Sequence, residues 1–428
     1  MIRGLVDRSR SSGLLQGSAW IVVGLAIQAI LGFVFWLLGA RVASSTELGE
    51  ATALYTAIQF VNYASGLGLT IALARHATLQ NRESDALFGW AVVATFVSSV
   101  VFGSVYLALV DTSATRLVNG SAGSWALFCV FTAGTSVSLL IDVRLMAARR
   151  WAWMVGRIAV AALIRLPFVQ LDVGVEPAVW LYWLMLAPLA GVGFSSIPLL
   201  RRMGGGGIGF HRPRTLRMVS RYAGVNWFAT LSSQAPQFVL PLVVAQSVAP
   251  SINASFFLAW TVTSIVFLLP AAIAQVLLVE GGKDAQVTEA TSTAGSERAR
   301  EALVFSVGLA TLAWIGSLVV GPAIAAVFGS EYDRLARLLP GLMLAGIPWG
   351  LTSIRLSEAR IRKDQAATVA ITATLGITIL VPTLLWVPSG GASAAAVTFV
   401  AGNIAGAIVA MAMHERWRRS SRMSLVVT

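Results

Sequence analysis

The stretch QGSAWIVVGLAIQAILGFVFWLLGA, residues 16–40, decides the architecture: it carries no charged side chain and stops at Arg41. About 20 apolar residues, rising about 1.5 Å each as a helix, cross roughly 30 Å of hydrocarbon. Arg3, Arg8 and Arg10 precede it, as the basic residues of a signal peptide would. The apolar run, however, far exceeds the roughly 7–15 residues of a signal core. It reads as an uncleaved first membrane span.

The pattern recurs. Apolar stretches of spanning length lie at 16–40, 50–74, 87–110, 123–146, 152–171 and 178–200, then at 222–246, 254–279, 302–325, 335–356, 366–387 and 392–414. They predict an all-α integral membrane protein of about twelve transmembrane helices, in two six-helix halves around a central cavity. Gly321-Pro322 marks the place where an interruption is expected. Composition agrees, since 57% of the 428 residues are hydrophobic and only 12% charged. Soluble domains carry about 25% charged residues, so this chain cannot cover a water-facing surface. A soluble enzyme, a DNA-binding module and a disordered regulator are all excluded.

The basic residues orient the spans. An even number of crossings puts both termini on one side. That side receives the N-terminal arginines, Arg75 and Arg82, Arg144 to Arg157, the run Arg201 to Arg221, Lys283 to Arg300, Arg355 to Lys363, and the C-terminal arginines. Of 31 basic residues, only Arg41, Arg116, Arg334 and Arg337 fall opposite, and Arg165 falls within a span. The positive-inside rule therefore places both termini in the cytoplasm. The arginine bias, with only Lys283 and Lys363 as lysines, and abundant Ala and Gly suggest a GC-rich bacterial genome, hence the inner membrane of a bacterium. The net charge of +12 is thus a matter of topology and not of nucleic-acid binding.

The basic, glycine-rich segment 201–221 lies almost midway and reads as a cytoplasmic linker between an N-terminal half, 1–200, and a C-terminal half, 222–414. A basic tail, 415–428, follows. Laying the halves over one another sets Leu37-Leu38-Gly39-Ala40-Arg41 against Leu242-Val243-Val244-Ala245-Gln246, and Tyr55 against Trp260. Halves of equal span number share one orientation, which implies a pseudo-two-fold axis along the membrane normal.

Catalytic signatures are missing. There is no GxxxxGK[ST] phosphate loop and no GxSxG elbow, and the single cysteine, Cys129, forms no disulfide or thiolate metal site by itself. Gly204, Gly206 and Gly209 match GxGxxG formally, but no strand precedes them. His76, His211 and His414 lack ligand spacing. No catalytic residue, metal or cofactor is expected.

What remains is polar chemistry inside the spans, where charge is costly unless it meets a cavity or a partner. Arg165, in Val160-Ala-Ala-Leu-Ile-Arg165-Leu, is the clearest case. It either snorkels to the nearer surface or faces a cavity. Helical side chains lean toward the N-terminus, which turns Arg165 away from the shorter escape. Asp142 and Arg144, two residues apart, face different sides of a helix and do not pair with each other. They read as interface anchors or substrate-access contacts. In the seventh span Asn226, Gln234 and Gln237 accompany Pro236 and Pro241, whose missing N–H groups free carbonyls and bend a helix. This is a candidate gate, or else a set of interhelical hydrogen bonds. Gln28, Gln59 and Asn62 are weaker candidates for cavity lining. Trp125, Trp151, Trp153, Trp180, Trp183 and Trp386 read as an interfacial aromatic belt.

The N-terminal motifs carry a family resemblance. Gly17-Ser18-Ala19-Trp20, Gln28, Gly32-Phe33, Ala40-Arg41, Ser44-Ser45-Thr46-Glu47-Leu48-Gly49, Tyr55, Gly66-Leu67-Gly68-Leu69 and Arg75 follow in order, with Val327-Phe328-Gly329-Ser330-Glu331-Tyr332 a weaker echo. This set resembles Wzx-type polysaccharide flippases of the multidrug/oligosaccharidyl-lipid/polysaccharide exporter superfamily. The resemblance implies outward transport of a polyprenyl-pyrophosphate-linked oligosaccharide by alternating access. Membrane lipids are then partners, beside polysaccharide polymerase or ligase machinery. It maps a cationic cavity onto Arg165, Arg75 and Arg144. The chain departs in lacking the two further spans typical of lipid II flippases. No acidic residue stands at mid-depth in the first span, where multidrug relatives couple a cation. Two other readings stay open: a membrane-embedded polymerase or glycosyltransferase, and a small-molecule exporter of the same fold.

Overall fold

The computed structural model describes residues 2–76, 81–204, 206–287, 292–362 and 364–427, with side chains over 20, 23–70, 72–73, 81–204, 206–224, 227, 235–268, 270, 273–274, 277, 299–362 and 364–419. The chain divides into two compact units, Met1–Leu231 with Ala249–Ala254, and Ser232–Val248 with Ser255–Thr428. Among the described residues there is no strand.

In the first unit the helices are α1 (Ile2–Val42), α2 (Ser45–Ser65), α3 (Leu69–His76), α4 (Arg82–Leu109), α5 (Ser113–Asn119), α6 (Ala122–Ala147), α7 (Trp151–Ile164) and α8 (Pro177–Leu199). The next helix, α9 (Leu216–Ser247), begins here and continues into the second unit. There it is joined by α10 (Pro250–Val287), α11 (Ser292–Phe328), α12 (Asp333–Leu344), α13 (Gly346–Ile361) and α14 (Gln365–Val427).

Among the described residues nine helical stretches are long and apolar enough to cross a membrane. α2 is too polar to count among them, the described apolar part of α9, Ala235–Ser247, is shorter than a full span, and α14 is two helices joined across Gly391, at φ 62°. With these three additions the expected twelve crossings are present. α2 is polar because Thr52, Thr56, Asn62 and Ser65 are buried inside the unit, where hydrogen bonds satisfy them. The outer faces of α4 and α11 are the reverse, with Leu109 79% and Val319 76% exposed. Such apolar surface is stable against lipid and not against water.

Several span limits need correction. The expected break at Gly321-Pro322 does not occur, since α11 runs through Pro322 to Phe328. The interruption comes within 335–356 instead, at Ala345, whose N–H bonds the Leu342 carbonyl in a tight 3₁₀-type turn between α12 and α13. The span expected at 152–171 is helical only to Ile164, with a 3₁₀ turn, Leu166–Phe168, after it. The span at 50–74 is broken at 66–68, where Leu67 and Gly68 turn left-handed.

Local chemistry accounts for the motifs behind the family resemblance. Ser44 and Glu47 form a capping box on α2: Glu47 N–H donates to Ser44 Oγ at 3.3 Å, and Ser44 N–H to Glu47 Oε2 at 2.8 Å. This satisfies donors that a helix start leaves unpaired. Gly49 lets another backbone approach, since a Cβ there would lie 1.8 Å from the Pro250 carbonyl oxygen. Gly68, at φ 67°, has the Ala223 carbonyl oxygen 2.2 Å from where its Cβ would be. Neither glycine can carry a side chain.

Candidate functional site

The first unit gathers three buried arginines, and they differ in their counter-charge. Arg165 caps the C-terminus of α7, where the helix dipole favours a cation. It is 2% exposed. Its guanidinium lies 4.8 Å from the centre of the Phe35 ring on α1, and one nitrogen donates to the Met185 sulfur on α8. Trp36 packs edge-on against Phe35 and against Tyr55, at 5.0 and 5.8 Å between ring centres. Arg165 makes no salt bridge among the described residues, and its Nε is buried with no hydrogen-bond partner. The Phe35 ring and a thioether hold this cation in place without neutralising it.

Arg157 and Arg144 are neutralised. Arg157 donates to Asp142, to Ser138 Oγ at 2.9 Å and to Ser196 Oγ at 2.7 Å, tying α7 to α6 and α8. Arg157, grouped by the sequence with the basic residues of the cytoplasmic side, is buried: it is 6% exposed, one turn and a half into α7. Arg144 donates to Ser84 and, at 2.5 Å, to Asp85, with the Phe88 ring 5.7 Å away. Asp85 also accepts the N–H of Gly207 at 3.0 Å. The segment expected to be a plain linker is therefore fastened to α4. Gly209 N–H reaches the Asp85 carbonyl at 2.8 Å, Thr215 bonds Glu83, and Trp90 bonds the His211 carbonyl.

The second unit contains a cavity of about 250 Å³ between α9, α10, α13 and α14. Trp260, Phe267, Trp349 and Phe399 wall it, with Gln237 and Thr263 among its polar groups. A separate ion cluster lies on α13 and α14: Arg355 donates to Glu358 at 2.7 Å and approaches His414 Nδ1 at 3.1 Å. Outside the spans, Asp364 caps α14. It accepts the Ala367 N–H and the Trp417 indole N–H, each at 2.9 Å. These bonds, the backbone one foremost, hold its carboxyl below its ordinary pKa.

No family model and no curated protein matches the chain by sequence. Solved structures do match by shape. A lipid II flippase MurJ in an inward closed conformation superposes with TM-score 0.72 at 13% identity, over 92% of this chain and 87% of that one. An inward-facing multidrug resistance MATE family transporter of the MOP superfamily gives 0.66 at 16%, over 94% and 98%. A MOP superfamily transporter from Pyrococcus furiosus gives 0.63 at 13%, over 96% of each chain. The chain has the MOP-superfamily transporter fold.

Within this MOP fold the remaining candidates are scattered. Asn62 joins a buried network in the first unit, donating to Thr135 Oγ1 at 2.8 Å and accepting from Ser136 at 2.8 Å. Gln28 is exposed on α1. α9 continues as helix through Pro236 and Pro241, both buried, and Gln237 lines the second-unit cavity. Arg75, Asn226 and Gln234 fall outside the described side chains. The sequence reading missed Arg157 and the aromatic cavity. Arg157 had a signal, a charge flanked by apolar residues on both sides. The cavity had none, since its walls come from segments far apart in the chain.

Proposed function

We propose that this MOP-fold protein is a flippase carrying a polyprenyl-pyrophosphate-linked oligosaccharide outward across a bacterial cytoplasmic membrane by alternating access, for cell-surface polysaccharide export. One observation carries the reading. Asp142, partly exposed, and the buried Glu358 are each paired with an arginine, whereas Arg165 is a buried cation with no anion among the described residues. A pyrophosphate supplies the missing counter-charge. Bare phosphate charge is prohibitive in hydrocarbon, and Arg165 with its unused Nε offers charge-assisted hydrogen bonds in place of water. A cationic drug would need an unpaired carboxylate instead.

Two further supports come from likeness and one from the membrane potential. A likeness to a lipid II flippase agrees with a lipid-linked cargo, and the N-terminal motifs resemble Wzx-type flippases. The membrane potential supplies a driving force without a coupled ion. Two negative charges leaving an inside-negative cell gain about 4–5 kcal/mol at 100 mV if they cross the whole field. On this reading 1–200 and 222–414 are the transport halves, 201–221 joins them, and 415–428 is a cytoplasmic tail. Arg75 assists Arg165, Arg144 stays paired with Asp85 and fastens the joining segment, and polymerase or ligase machinery receives the product.

The test is mass spectrometry of polyprenyl-linked lipids from depleted cells, with an impermeant oxidant reporting the leaflet. A complete repeat unit accumulating in the cytoplasmic leaflet is the expected result. Unpolymerised repeat units already outside would identify a polymerase, and an unchanged lipid-linked pool would point to small-molecule export.

A further inference from the structure

We propose that the aromatic cavity of the second unit binds a single neutral sugar ring. The inference rests on the reading of the cargo as a lipid-linked glycan, and it adds a second contact, in a different unit from Arg165. Its first support is the lining. Trp260 and Phe399 meet edge-on with ring centres 4.9 Å apart, Phe267 and Phe399 lie 5.5 Å apart, and Phe267 stacks on Trp349 at 6.0 Å. Among the described residues no charged side chain lines the cavity. The C–H face of a pyranose carries partial positive charge and packs against the negative face of an aromatic ring.

The second support is the unfilled hydrogen-bonding capacity. Trp349 Nε1–H is buried and has no acceptor, a state that costs free energy until a partner arrives. Thr263 and Ser264 already donate their hydroxyl hydrogens to the carbonyls of Ala259 and Trp260, each at 2.8 Å. Their oxygens are left to accept. Pro241 has no N–H to give the carbonyl of Gln237 one turn earlier, and the Gln237 amide brings both a donor and an acceptor. A sugar ring bears hydroxyls that donate and accept together, so it satisfies the indole and the hydroxyl oxygens at once.

Other occupants fit less well. An isoprenoid chain would leave the indole N–H and the glutamine amide unpaired. An organic cation would find ring faces but no carboxylate, and it cannot accept from Trp349. Size narrows the ligand further. Pockets for drug-sized molecules run from roughly 300 Å³ upward, and about 250 Å³ suits one ring of a longer glycan.

The experiment uses the purified full chain in a sugar-free detergent. The probe is the oligosaccharide released by mild acid from the source cell's polyprenyl-linked pool, with binding read by saturation-transfer NMR. The released glycan should bind the wild-type protein. Trp349→Phe keeps the ring and removes the N–H, and should weaken binding about five- to tenfold with an unchanged Tm. Phe399→Ala should weaken it further, and neither polyprenol nor tetraphenylphosphonium should displace the glycan. Displacement by either, equal binding by Trp349→Phe, or no binding to the wild type overturns the proposal. Flipping of the lipid-linked glycan is measured after the same preparations are reconstituted into proteoliposomes. Translocation without glycan binding removes the sugar site and keeps the cargo, whereas binding without translocation keeps the sugar site and removes the cargo.

Discussion

Arg157 and Asp142 form an ion pair between α7 and α6, with side chains 5% and 15% exposed. Every guanidinium nitrogen of Arg157 is engaged, since Ser138 and Ser196 take the two that Asp142 leaves. A saturated pair of this kind is a structural bolt.

Removing one end should therefore cost more than removing both. Asp142→Ala leaves a buried, uncompensated cation, at a cost of about 3–5 kcal/mol. The double variant Asp142→Leu, Arg157→Met replaces the pair with apolar volume and should recover more than half of that loss. Thermal unfolding of the purified protein measures both. A double variant less stable than Asp142→Ala would contradict the pairing.

Arg165 should behave in the opposite way. It has no anion to lose, so Arg165→Met sacrifices the contact with Phe35, about 2 kcal/mol when desolvated, together with the bond to the Met185 sulfur. It also removes the burden of a buried charge. Its Tm should hold or rise while translocation of the lipid-linked glycan falls at least about tenfold. Translocation at the wild-type rate in Arg165→Met would remove Arg165 from the transport path.

The contrast between these arginines shows how far the sequence could be read. Both are single charges in apolar surroundings, and hydropathy places Arg165 within a span while it groups Arg157 with the basic residues of the cytoplasmic side. Arg157 lies near the start of its helix, where depth depends on a boundary that hydropathy fixes only to within several residues. The carboxylate of Asp142 and the ring of Phe35 are contacts made across the fold, which period and composition do not encode. Membrane crossings were legible for the opposite reason: lipid demands long apolar runs from each helix separately. The exception, α2, keeps Thr52, Thr56, Asn62 and Ser65 for contacts within its own unit.

The strap formed by 206–215 gives a third test. Asp85 holds Arg144 and the Gly207 N–H together, and Glu83 holds Thr215. Asp85→Ala should strip both contacts of Asp85 and destabilise the protein by about 1–3 kcal/mol. Tryptic cleavage after Arg214, which is exposed, should accelerate severalfold. An unchanged cleavage rate would mean that Asp85 does not hold the segment down.

Asp364 predicts a pH dependence with a definite sign. Its carboxylate is stabilised in the folded state by the Ala367 N–H and then by Trp417, which lowers its pKa. The contribution is present above the unfolded value of about 3.9 and fades as pH falls through the lower folded value. Wild type should thus exceed Asp364→Ala in Tm at pH 7, with the gap closing below about pH 4. A gap independent of pH would assign the effect to the helix cap's shape and not to its charge.

Close helix packing supplies the last prediction. A Cβ on Gly193 of α8 would lie 2.4 Å from the Gly134 carbonyl oxygen of α6, and one on Gly134 would lie 2.6 Å from the Ala190 Cβ. Backbone faces backbone there, so no side chain can move aside. Gly193→Ala must push α6 and α8 apart, at about 1–3 kcal/mol. Because Ser196 lies one turn further along α8, the same displacement should loosen its bond with Arg157. Gly156 on α7 is the control, since its Cβ would meet nothing within 4 Å. Gly156→Ala should be neutral or stabilising by up to about 1 kcal/mol, because alanine favours helix. Two identical substitutions with opposite effects on Tm would locate the tight contact at Gly193, and equal effects would dissolve it.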